Sequence, residues 1–116
     1  MSTEVEIFKG DSAVLKVLVT LNGVPVNIAG FSMRFLVKKN VLDGDAAALI
    51  EKTVAGGIVL TDPTNGKAEI TLVPANTLSL GPTELVYAIK IKDGSGKIYT
   101  ILEGPFTIFP VAVQIL

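Results

Sequence analysis

The chain's 116 residues predict an all-β sandwich, and three observations predict it. Apolar residues recur at every second position over most of the length, which suits strands that bury one face and wet the other. Asn-Gly, Asp-Gly and Gly-Gly pairs fall between those runs, where tight turns need the positive φ that glycine, asparagine and aspartate tolerate. No apolar run is better explained by a 3.6-residue period than by alternation.

The first alternating run is Ala13 to Leu21, with Ala13, Leu15, Val17, Val19 and Leu21 inward and Lys16 and Thr20 outward. Asn22-Gly23-Val24-Pro25 turns the chain. The next strand places Phe31, Met33, Phe35 and Val37 inside and Ser32, Arg34 and Lys38 outside. Turns follow at Asp43-Gly44-Asp45 and at Ala55-Gly56-Gly57. A strand near Gly57 to Thr61 is joined through the turn at 62–66 to a strand over Lys67 to Val73, which buries Ala68, Ile70 and Leu72. Pro74 to Leu80 is the place for a short helical turn, since Pro74 suits a first helical position and Gly81-Pro82 stops any continuation. Leu85, Tyr87, Ile89 and Ile91 then face inward, with Lys90 and Lys92 outward, and the turn at 93–96 leads into a strand over Lys97 to Glu103. In the remainder, Pro110 would break a central ladder and so marks an edge or a crossing.

Taken together these elements predict an immunoglobulin-like antiparallel β-sandwich of about seven to nine strands with at most one short helical turn. Residues 1–116 read as a single domain, long enough to bury a continuous core. With no cysteine, that core has packing alone to hold it. The chain is 49% hydrophobic and 18% charged, so the apolar content belongs in a core or an interface. Ten basic and eleven acidic residues are interspersed along the chain and give a net charge of -1, which excludes the electrostatic footprint of a nucleic-acid binder. No apolar run approaches the roughly 20 residues that span a bilayer as a helix, and no membrane partner is expected. The N-terminal stretch lacks the charged, apolar and small-residue pattern of a secretory signal, so synthesis and residence in a cytoplasm are expected.

Catalytic equipment is not visible. Without histidine or cysteine, proton transfer near neutral pH would fall to a tuned carboxylate or lysine, and the sequence shows no such arrangement. Asp43 and Asp45 flank a glycine, but alanines stand where a calcium loop needs further oxygen ligands, so turn chemistry is expected and no metal or cofactor. Neither Lys67 nor Lys97 is followed by Ser or Thr, and neither completes a phosphate-binding loop. The aromatic residues Phe31, Phe35 and Tyr87 fit a core rather than a ligand platform. The C-terminus points outward instead: residues 110–116 are a candidate docking segment for protein partners, and Phe109, Val111, Val113, Ile115 and Leu116 are the candidate interaction residues in and just before it.

The order of these features resembles the immunoglobulin-like modules of tailed-phage tail and baseplate proteins, including the N-terminal domain of baseplate upper proteins. The residues that carry the resemblance are Gly10-Asp11-Ser12, Gly23-Val24-Pro25-Val26, Ile28-Ala29-Gly30 and the lysine-ended strand Phe31 to Lys39, then the turn at 61–67, the hairpin at 87–97 and the last strand from Gly104. Pro82-Thr83-Glu84-Leu85 departs from the shorter Gly-x-Tyr lead-in of many such modules. The resemblance implies a non-enzymatic structural protein of the virion, assembled in the host cytoplasm. Its partners would be copies of itself, as a trimer or hexamer, and other tail or baseplate proteins. A host-surface module that binds glycan is the alternative that it leaves open, and the scarcity of aromatic residues weighs against it.

Overall fold

Alternating runs become strands whose inward side chains meet in one core. The structure, a computed structural model, describes residues 4–80 and 83–112. In chain order the strands are β1 (Val5–Phe8), β2 (Ala13–Leu18), β3 (Thr20–Leu21), β4 (Val24–Pro25), β5 (Ser32–Lys38), β6 (Ile50–Val54), β7 (Gly57–Asp62), β8 (Lys67–Leu72), β9 (Thr83–Lys92) and β10 (Ile98–Phe109). One short helix, α1 (Ala75–Leu78), lies where Pro74 leads it in, and 3-10 turns occupy Asp45–Ala47 and Pro63–Asn65.

The main ladder runs β1-β10-β9-β5-β6-β7-β8-β2. It turns a corner between β6 and β7, where only Thr53↔Gly57 and Val54↔Ile58 pair, so β1-β10-β9-β5-β6 forms one layer and β7-β8-β2 the other. This is the predicted immunoglobulin-like arrangement, with α1 carrying the chain from β8 across to β9. Two pairings are parallel rather than antiparallel, β1 with β10 and β6 with β7. The first arises because β1 and β2, consecutive in the chain, lie at opposite ends of the ladder. Unlike the reading from sequence, β10 is one strand through Glu103 and Gly104, with a register shift between Thr100 and Leu102. Pro105 is tolerated within it because the β1 ladder opens one residue later, at Val5↔Phe106.

Parity places the core. Met33, Phe35, Val37, Ala68, Ile70, Leu72, Leu85, Tyr87, Ile89 and Ile91 are all buried, as their alternation predicts. At the centre Phe35 lies 5.8 Å from Tyr87 and 6.3 Å from Phe106 between ring centroids. Ala13, Leu15 and Phe31 pack against this core while only partly buried. Leu21 departs from the expectation: it is 68% exposed. The reason is that β2 stops at Leu18, and Val19 donates to Gly66 O and accepts from Val26 N, which turns the chain out into the β3–β4 hairpin. Gly66 fits that corner because its φ is 73° and a Cβ there would stand 2.5 Å from Val19 O. Thr77 on α1 is fully buried, and its Oγ1 accepts from Gly10 N at 2.7 Å, fastening the crossover to the β1–β2 connection.

Candidate interaction surfaces

Two surfaces stand out. The first is the C-terminal end of β10 with the residues just after it, where two of the predicted docking residues lie, Phe109 and Val111. β10 ends at Phe109, immediately before Pro110, as the proline predicts. Phe109 pairs in register with Phe8 of β1, their ring centroids 5.8 Å apart, and Lys9 N donates to Phe109 O at 3.0 Å. Phe8 is 53% exposed while Phe109 and Val111 are half-buried, so an apolar patch begins here. Val113, Ile115 and Leu116 lie outside the described residues. Phe8 was not among the predicted docking residues, because its contribution depends on β1 reaching β10 across the whole chain length.

The second surface is the outer face of the larger layer. There the outward side chains of β5, β9 and β10 and the connection after β5 enclose a groove of about 780 Å³. Its floor is unexpectedly apolar, since Leu36, Val86 and Ala88 all line it among the outward positions of β5 and β9. Lys90 and Lys92 line it too, and neither joins any ion pair among the described residues. One wall is the connection that carries Val41 and Asp45.

That wall is braced. Lys38 Nζ donates to Asp45 Oδ1 at 2.8 Å and to Asp43 O at 2.9 Å, while Arg34 Nη1 donates to Asp45 Oδ2 at 3.0 Å. Arg34 Nε also donates to Glu51 Oε2 on β6. The Lys38 ammonium, and then Arg34, hold the Asp45 carboxyl below its ordinary range, and Glu51 foremost raises Arg34. Exposed pairs of this kind stabilise little one by one, and their sharing of Arg34 and Asp45 makes them a brace. Asp43 is the turn residue that the sequence suggests, its Oδ2 accepting from Asn40 N at 3.2 Å. The brace holds up an apolar tip: Val41 is 59% and Leu42 94% exposed.

Among the described residues no group of three or more His, Cys, Asp or Glu could hold a metal ion. At the turn after β9, Asp93 Oδ1 accepts from Ser95 N at 2.9 Å, Ser95 Oγ at 2.7 Å and Lys97 N at 3.0 Å. These bonds occupy the backbone donors of Ser95 and Lys97 and, led by that from the Ser95 hydroxyl, lower the Asp93 pKa.

Among solved structures the chain is similar to the N-terminal domain of phage TP901-1 ORF48, at 15% identity and a TM-score of 0.53, over 91% of this chain and 82% of that one. The chain shares that domain's fold. The resemblance carried by the order of the sequence motifs is thus met, at the level of fold, in a phage protein. No protein-family model and no curated protein matches the chain.

Proposed function

We propose that the chain is a structural building block of a tailed-phage or prophage virion, an immunoglobulin-like module of the tail, baseplate or fibre attachment. The observation that carries this reading is the fold shared with a phage protein's domain over 91% of the chain. The module works by self-association and by docking to other virion proteins, as a trimer or hexamer around a tail axis, and it is assembled in the host cytoplasm as a single domain.

Three features support association. β1 and β2 are the two ends of the ladder, and each has one partner strand among the described residues. Unpaired edge groups favour another strand, although Lys16 midway along β2 tempers that edge. Phe8, Phe109 and Val111 form an apolar patch, and the segment through Val113, Ile115 and Leu116 extends the same chemistry. Burying three such side chains contributes roughly 1.5 to 3 kcal/mol each before the costs of association. Sedimentation equilibrium of the full chain, and of one cut after Pro110, tests this. The proposal expects an oligomer of the full chain and a folded, smaller species of the shortened one; a monomeric full chain at high micromolar concentration contradicts self-association. A glycan-binding role has less support, because of the exposed aromatic residues Tyr99 stands at the start of β10 and Phe8 beside its end, so the two form no shelf.

A further inference from the structure

The outer face of the larger layer has a charge pattern that matches itself. Reading across β10, β9, β5 and β6, one row of outward residues is Thr100, Lys90, Arg34 and Thr53. The adjacent outward row is Glu103, Ala88, Leu36 and Glu51. Cations thus occupy the two middle strands of one row, and acids flank an apolar centre in the next. From the proposed role in self-association, on which this inference rests in its hexameric form, we infer that this face is an isologous interface, the two-fold contact between the facing halves of a hexamer: two copies pack face to face, and a two-fold axis lies in the interface, across the strands and between those two rows.

Each row then lies over the other row of the partner. Lys90 comes over the partner's Ala88 beside its Glu103, and Arg34 comes over the partner's Leu36 beside its Glu51. The aliphatic stems of the two cations cover the apolar floor, and the ammonium of Lys90 reaches the partner's Glu103, while Arg34 keeps its bonds to its own Glu51 and Asp45. Placing the axis on the acidic row instead would set Glu103 against Glu103 and Glu51 against Glu51, which like-charge repulsion disfavours. Two-fold repetition makes every favourable contact occur twice. The same operation carries the braced connection of each copy onto the β5–β6 side of its partner, where Val54 stands exposed. It thereby gives Leu42, 94% exposed in the isolated chain, an apolar surface to bury against. The brace from Lys38 and Arg34 to Asp45 fixes that tip before association, so little ordering cost remains to be met on binding.

Charge-reversed variants of the full chain test the pairing by sedimentation velocity, with circular dichroism to confirm that each is folded. Lys90→Glu and Glu103→Lys should each abolish the pair, since each sets like charges opposite one another twice. An equimolar mixture of the two should recover a heterodimer, because every contact then joins opposite charges. Leu42→Asn, which removes no core contact, should raise the dissociation constant about tenfold or more. Pair formation that survives both charge reversals, or a mixture that stays monomeric, overturns the interface. If the reversed variants still associate and only the chain cut after Pro110 does not, self-assembly stands and this face is not its interface. If the unaltered chain is monomeric at high micromolar concentration, both readings fall.

Discussion

Phe35→Ala removes the ring around which both layers are packed, and the structure allows its cost to be worked out. Phe35 is fully buried on β5, opposite Ile89 of β9 and Lys52 of β6, and its ring meets those of Tyr87 and Phe106. Truncating a buried phenylalanine costs about 3 to 5 kcal/mol in lost burial and residual cavity. Two aromatic neighbours argue for the upper part of that range, since such contacts add about 0.5 to 1.5 kcal/mol each beyond area. For a chain of this size each kcal/mol lowers the thermal midpoint by about 4 °C, so the midpoint should fall by about 16 to 20 °C. Urea denaturation followed by circular dichroism gives the same loss as a free energy. Phe8→Ala serves as the control, because a ring that is 53% exposed has less burial to lose, and its cost should stay below about 2 kcal/mol. A Phe35→Ala loss below about 1 kcal/mol would refute the placement of the ring between the layers.

Thr77→Val should cost about 1 to 3 kcal/mol in urea denaturation although it keeps the side chain's shape, because Gly10 N–H loses its acceptor, and Thr77→Ser should recover most of that loss. Acid should destabilise the chain through Asp45 and Asp93, whose carboxyls both lie below their ordinary value of 3.8 in the folded state. A lowered folded pKa contributes stability that is complete above the unfolded value and is lost as pH falls through the folded one, so the thermal midpoint should drop below about pH 4. Asp93→Asn should start from a lower midpoint at pH 7 and show a shallower acid decline; parallel profiles would contradict the assignment.

Alternation made the inner core legible because burial alone decides it: each inward position from Met33 to Val37 and from Leu85 to Ile91 needs only its neighbours' parity. The turns at 62–66 and 93–96 were equally plain, since their residues are selected by local backbone geometry. What the sequence concealed depends on partners far along the chain. β1 is four residues long and gains its place from a parallel ladder with β10, and β6 has a single buried residue, Ile50, to signal a strand. Leu21 satisfied the parity rule and is exposed, because the hydrogen bonds of Val19 with Gly66 and Val26 end the strand before it. The candidate surfaces divide in the same way. Phe109 and Val111 could be picked out by their apolarity next to Pro110, whereas Phe8 and the groove required the register of the strands. The brace at Asp45 left one signal, two cations four residues apart on the outward face of β5 just ahead of an acidic turn, and the turn reading of Asp43 and Asp45 obscured it.

The most direct test of the proposed role is to measure the chain in particles. Phage particles from a strain that encodes it can be purified through a density gradient, and the chain quantified by peptide mass spectrometry against a major capsid or tail protein. The proposal predicts that the chain co-purifies with the particles at a fixed copy number, a multiple of about three or six per tail. A chain found only in the particle-free fraction, with intact particles lacking it, would contradict the assignment to the virion.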